Sequence, residues 1–128
     1  MTADALYLTL HEANYDSWES VQQAMSLAQG QVPPRVAWLL EHIHDTKRGY
    51  WAVISGALGT SRPPDHLGLS ALMAWELTQL AALSAEQRQV TLAYGGRLLD
   101  VAALIRLNAR HAVWHAGQIA ALAARRTA

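Results

Sequence analysis

Residues 97–126 read RLLDVAALIRLNARHAVWHAGQIAALAARR, a stretch with no proline and, Gly117 apart, no strong helix breaker. Most of its positions are Ala, Leu, Val or Ile, and it predicts a helix from near Arg97 to about Arg125. Three further helical patterns precede it. The first runs from about Asp4 to Gln29, with Leu6, Leu10, Ala13, Val21, Ala24 and Ala28 at three–four spacing and Trp18 and Met25 beside them. Asp4 suits its start and Gly30 its end. The second opens at Pro33-Pro34, since proline fits a first helical turn, and runs to about Gly56 with Trp38, Leu39, His42, Thr46, Tyr50 and Val53 on or near one face. The third starts at a Ser70 cap and reaches about Leu83 through Leu72, Met73, Trp75, Leu77 and Leu80.

The connections are equally legible. Residues 56–68, GALGTSRPPDHLG, hold three glycines and two prolines and read as a loop long enough to line or cover a site. Ser84 with Gln87 three residues on is a capping-box pattern, which places a short helix from Ala85. Val90 to Gly96, VTLAYGG, reads as an extended or turn segment. Four long helices joined in this way predict a single all-α domain over residues 1–128, built as a four-helix bundle.

Composition narrows the function. The 128 residues suffice for one core, and at this size about two-thirds of the unfolded surface can be buried. The absence of cysteine excludes a disulfide scaffold, a thiolate zinc finger, an Fe–S protein and a cysteine-nucleophile enzyme. Ten Lys+Arg balance ten Asp+Glu, and a chain of zero net charge lacks the basic surplus that phosphate contacts demand, so nucleic acid is not an expected partner. No apolar run is long enough to span a bilayer, and the N-terminus shows no charged segment followed by an apolar one; a cytoplasmic protein is the expectation. Charge is unevenly spread. The first helix carries Asp4, Glu12, Asp16 and Glu19 and no Lys or Arg, whereas the last carries Arg97, Arg106, Arg110, Arg125 and Arg126 against Asp100. Faces of opposite sign suit packing within the chain or across a dimer.

The chemistry concentrates in Asn108-Ala109-Arg110-His111-Ala112-Val113-Trp114-His115-Ala116-Gly117-Gln118-Ile119. His111 and His115 stand four apart on a helix, one turn from each other on one face, a spacing that lets both imidazoles reach one divalent ion. Asn108 and Gln118 extend the same ridge, which is costly to bury without partners. The second helix offers one partner, His42, provided that it faces the last. Three imidazoles with an open fourth position describe a catalytic rather than a structural metal site, and all-nitrogen ligation suits Zn, Ni, Fe or Cu and disfavours Mg or Ca. Asp45, three after His42, is a candidate to orient an imidazole or to serve as a fourth ligand, and Gln118 to hydrogen-bond a ligand. His44 lies about 200° around the helix from His42 and points away. His11 and His66 read as surface residues, with His66 in reach of a pocket mouth. Trp38, one turn before His42, and Trp114, beside His115, are candidate pocket walls; the size of all five Trp also suits core filling.

The stretch HAVWHAGQI, with LLEHIHDTKRGYW upstream, resembles the DinB/YfiT-like superfamily. His42 matches that family's ligand in the second helix, His111 and His115 its two ligands in the last, and Gln118-Ile119 its Gln-Ile tail. A further His of the family pattern, beside the last ligand, is Trp114 here. The resemblance implies a four-helix bundle holding a divalent metal, Zn or Ni foremost, on three His. It also implies a homodimer and a small-molecule substrate. Characterised members include transferases and isomerases that use low-molecular-weight thiols such as bacillithiol or mycothiol. A metal lowers the pKa of a bound thiol or water. Because this chain has no cysteine, a thiolate nucleophile must come from a small molecule, which gives an S-transferase; water in its place gives a hydrolase. A non-catalytic dimeric binding or stress-response protein is the alternative from another class.

Overall fold

The computed structural model describes residues 4–30 and 32–127, the last three of these, 125–127, by their backbone alone. The element order is α1 (Ala5–Tyr15), α2 (Val21–Leu27), α3 (Pro34–Leu58), α4 (Leu69–Ala82), α5 (Ala85–Arg88), β1 (Thr91–Tyr94), β2 (Arg97–Asp100) and α6 (Val101–Thr127). The chain is mainly helical, and α6 is its axis: α1, α2 and α3 all pack on it, while α4 packs on α3 and α1. No helix among the described residues is long and apolar enough to cross a membrane.

Three boundaries differ from the sequence reading. The first helix is two helices. α1 stops at Tyr15, Glu19 takes a left-handed φ of 54°, and the Ser20 hydroxyl accepts a hydrogen bond from the Gln23 amide at 3.1 Å to start α2. The signal was present, because Ser20 and Gln23 repeat the serine-to-glutamine spacing of Ser84 and Gln87. At Ser84 the full capping box forms and sets α5 as expected.

The second difference is a small sheet in a chain expected to be all-α. β1 and β2 pair antiparallel, Thr91 opposite Asp100 and Tyr94 opposite Arg97. Gly95 and Gly96 make the two-residue turn with φ of 59° and 78°, the consecutive left-handed pair that a tight hairpin requires. The third difference follows from it. Arg97 to Asp100 belong to β2, so the last helix begins at Val101, where the Asp100 carboxylate caps it by accepting from the Ala103 amide at 2.8 Å. The segment from α3 to α4 conforms more closely: Gly59 ends α3 in the left-handed conformation, and α4 begins two residues earlier than expected, with Gly68 rather than Ser70 at its N-cap and no side-chain capping bond.

Among the described residues, the acidic and basic faces read from the first and last helices do not form ion pairs with each other. Asp4 instead binds Arg88 of α5 through two hydrogen bonds at 2.8 and 2.7 Å. The side chains of Arg125 and Arg126 lie outside the described residues.

The core is divided. One apolar cluster gathers Leu10, Tyr50, Trp51, Ile54, Leu77, Leu80, Leu104 and Ile105 toward the hairpin end. The other gathers Val21, Ala24, Val36, Leu39, Ile43, Met73, Ala112, Ala116 and Ile119. On four of the contributing helices a buried polar residue stands between them: Asn14 on α1, Lys47 on α3, Glu76 on α4 and Asn108 on α6.

Candidate metal centre

α3 and α6 lie side by side, and the histidines of interest project from their shared border. His42 follows Trp38 by one helical turn, and the two rings stack with centroids 4.9 Å apart and planes 7° apart. The Arg35 guanidinium covers the Trp38 ring at 4.6 Å. On α6, His111 and His115 project one turn apart as their spacing requires, with ring centroids 4.4 Å apart. His42 meets both edge-on, at 5.0 Å from His111 and 4.7 Å from His115. One nitrogen from each of the three rings lies within 4.8 Å of the others. All three side chains are half-buried.

Hydrogen bonding orders the nitrogens. His115 Nδ1 donates to Gln118 Oε1 at 2.7 Å, which places the His115 proton on Nδ1 and bares Nε2. That Nε2 lies 3.1 Å from His111 Nε2. A neutral pair of imidazoles can share one proton across this gap; the same two nitrogens can instead turn both lone pairs on one cation. Metal–nitrogen bonds of about 2.0–2.1 Å in a tetrahedral site space the ligand atoms about 3.3 Å apart, so the observed gap suits a shared ion.

Electrostatics keep His42 and His111 unprotonated. Burial, helped by the neighbouring His115, His42 and Lys47, pushes His111 down to about 4. Burial also lowers His42, with His115 adding to the effect and Asp45 opposing it. Imidazole binds metal only in its neutral form, so both are ready ligands at neutral pH. The three imidazoles therefore form a donor set that fits a metal ion, and among the described residues no fourth His, Cys, Asp or Glu joins it.

The other candidate residues separate. Gln118 is at the site, as the orienting partner of His115. Asp45 is not: its exposed carboxylate accepts from His44 Nδ1 at 2.9 Å, and the other His44 nitrogen meets the Leu67 carbonyl at 2.8 Å, tying α3 to the loop before α4. His11 lies against Tyr7 and Tyr15 on α1, and His66 is exposed in the loop. Trp38 stacks on His42 but is 49% exposed and lines neither the larger nor the smaller cleft. Trp114, the other expected wall, is 70% exposed and lines the larger one, about 460 Å³, with Trp18, Glu12, Asp16, Glu19 and Arg110; it includes none of the three imidazoles. The smaller cleft, about 250 Å³ between α3 and α6, is lined by Arg35, Leu39, Gln118, Ala121 and Leu122 and shares only Gln118 with the site.

Asn108 also leaves the ridge on which the sequence puts it. It is buried, with Oδ1 accepting from Lys47 Nζ at 2.9 Å and Nδ2 donating to Glu76 Oε1 at 2.8 Å. Lys47 Nζ donates to Glu76 Oε2, which also accepts from Asn14 Nδ2 at 2.7 Å, and Trp51 Nε1 donates to Glu76 Oε1 at 2.8 Å. Sequence reasoning missed Lys47, Glu76, Asn14 and Trp51 as a unit. The available signal was a charged residue inside an apolar stripe: Lys47 between Ile43 and Tyr50, and Glu76 between Met73 and Leu80. On the other side of His111, Tyr50 approaches edge-on at 6.1 Å, and burial beside Tyr94 raises its hydroxyl pKa and keeps it protonated.

Comparison with protein-family models, with curated proteins and with solved structures gives no significant match for this chain.

Proposed function

We propose that this protein is a metal-dependent enzyme of the DinB/YfiT-like type, a four-helix bundle in which His42, His111 and His115 hold a divalent ion, Zn or Ni, and which transfers a low-molecular-weight thiol to a small electrophile. One observation carries the reading: imidazoles from two helices converge, two of them with Nε2 atoms 3.1 Å apart, and among the described residues no further His, Cys, Asp or Glu closes the set. A bound ion of this kind supplies Lewis acidity, lowering the pKa of a thiol or water that shares it. The chain's own residues do the rest. Gln118 fixes the His115 tautomer, Trp38 holds the His42 ring by stacking, and Tyr50 limits solvent beside His111. With no cysteine in the chain, the sulfur nucleophile is a small-molecule thiol, and water in its place makes the same centre a hydrolase. Under this reading the protein works as a cytoplasmic homodimer, and the exposed Trp18 and Trp114 offer apolar area for the contact.

A second reading, a non-catalytic binding protein, draws on a different observation: the larger cleft, about 460 Å³, contains none of the three imidazoles. Metal analysis of untagged protein tests the main reading. The parent is expected to hold about one divalent ion per chain and His115→Ala to lose it. A parent that stays metal-free after reconstitution overturns the enzyme reading. A parent that holds metal but turns over no thiol with any electrophile favours hydrolysis or binding.

A further inference from the structure

Glu76 is fully buried, and its two oxygens accept four hydrogen bonds, from Asn14 of α1, Lys47 and Trp51 of α3 and Asn108 of α6. One carboxylate on α4 thus meets three other helices at a single level. Asn108 adds a direct tie between α3 and α6 through Lys47. A buried ion pair is a poor device for stability, because an apolar replacement of similar volume is often neutral or better. Its attested use is to select one register among several. The apolar clusters on either side cannot make that selection. Their Ala, Leu and Ile contacts are non-directional, and such cores accept repacking.

The register at stake is the one the histidines need. Lys47 and His42 share α3, and Asn108 and His111 share α6, one turn apart. A slip of α3 by one residue would move His42 about 1.5 Å along the axis and about 100° around it, far beyond the half-ångström tolerance of a preorganised site. In the observed register Glu76 and Asn108 satisfy the Lys47 ammonium and the His42 ring stands 5.0 and 4.7 Å from its two partners, so one register serves both sets of contacts.

We infer that the buried Lys47–Glu76–Asn108 layer is a positioning device that locks α3 against α6 so that His42 converges with His111 and His115. Its bearing on metal rests on the function proposed above; its bearing on ring convergence does not. None of its members belongs to the His42–His111–His115 donor set, and they act through the helices that carry it, so they are positioning residues.

The test uses full-length protein carrying Lys47→Met with Glu76→Gln, which removes both charges at nearly constant volume, and separately Asn108→Ala, a milder cut should the pair fail to fold. Leu80→Ala, a core truncation outside the layer, serves as a control of comparable destabilisation. In metal-free protein, cross-relaxation between ring protons of His42 and those of His111 and His115 reports convergence. It is expected in the parent and in Leu80→Ala and lost in both layer variants. Cobalt(II) affinity by chelator competition is expected to fall at least tenfold in the folded layer variants and to hold in Leu80→Ala, with weaker d–d bands marking a distorted site. Retained ring contacts together with unchanged cobalt affinity in the layer variants overturn the inference. A parent that takes up no cobalt defeats the proposed metal role, and the ring contacts alone then decide the positioning role.

Discussion

Replacing Glu76 by alanine should be among the most damaging single changes in this protein, and the structure sets both the size and the pH signature of the damage. The Lys47 ammonium is 1% exposed, and it loses Glu76 Oε2 and the counter-charge with it, keeping only the neutral Asn108 Oδ1 as an acceptor. Asn14 and Trp51 lose the carboxylate that each donates to, and Asn108 Nδ2 loses its acceptor. An uncompensated buried charge costs about 3–5 kcal/mol. That cost has a ceiling, because the folded protein can shed the proton: taking a lysine of ordinary pKa to its neutral form at pH 7 costs about 1.36 kcal/mol for each of about 3.4 units, close to 5 kcal/mol. Each orphaned amide or indole donor adds about 1 kcal/mol, less where water enters the vacated volume. The expected total is about 4–7 kcal/mol, against a stability of about 5–15 kcal/mol for a domain of this kind. Burial already lowers the Lys47 pKa, and removal of Glu76 takes away the charge and hydrogen bond that oppose that shift. Lys47 is then neutral when folded and protonated when unfolded. The unfolded chain binds the extra proton, so the stability of Glu76→Ala should rise with pH, by up to about 1.4 kcal/mol per unit, from the depressed folded pKa up to the ordinary lysine value. Urea unfolding followed by circular dichroism between pH 7 and pH 10 measures both quantities. Adding Lys47→Met to Glu76→Ala should recover the part of the loss due to the ammonium at pH 7, leave the part due to the orphaned Asn14, Trp51 and Asn108 donors, and abolish the slope. A loss under about 2 kcal/mol with pH-independent stability would refute the reasoning, because the ammonium would then have found water.

Three smaller perturbations test other parts of the fold. Gln118→Ala should leave unfolding midpoints within about 0.5 kcal/mol of the parent while weakening zinc binding about 10–100-fold, since the orienting partner of His115 is lost; competition with a chromogenic chelator reads this directly. Arg88 holds the Asp4 carboxyl down at about 2, so the pair's contribution is complete above the ordinary carboxylate pKa near 4 and disappears as pH falls through about 2. Asp4 is 37% exposed, so solvent screening limits this contribution to about 1 kcal/mol; Asp4→Asn should lose it at pH 6 and match the parent near pH 2 in acid titrations of stability. Gly96→Ala, at a φ of 78°, should cost about 1–2 kcal/mol by thermal melting through left-handed strain alone, because open space surrounds the position where its Cβ would sit.

The helices and the three histidines were legible because both signals are periodic. Apolar residues at three–four spacing fix which side of each helix is buried, and a His-x-x-x-His pair on such a helix must project from one face, as His111 and His115 do. What escaped the sequence is what periodicity cannot encode. The break after Tyr15 depends on one serine hydroxyl and one left-handed glutamate, a local hydrogen-bonding choice inside an otherwise continuous pattern. The hairpin at 91–100 holds four-residue strands too short to show alternation, and Arg97 to Asp100 read as well for helix as for strand until Gly95 and Gly96 reverse the chain. Asn108 is the instructive residue. Spacing alone aligns it with His111 and His115, yet its amide finds its partners on α3 and α4 and is buried there, while Gln118, equally spaced on the other side, bonds to His115. Equal helical spacing thus assigned the two amides one role where the structure gives them two. The difference lies in Lys47 and Glu76, whose charges could be neutralised only by side chains arriving from other helices. A lone charge inside an apolar stripe is therefore the most informative departure from pattern in this chain: it cannot be buried without partners, and the demand for them ties distant segments together more tightly than the apolar residues around it.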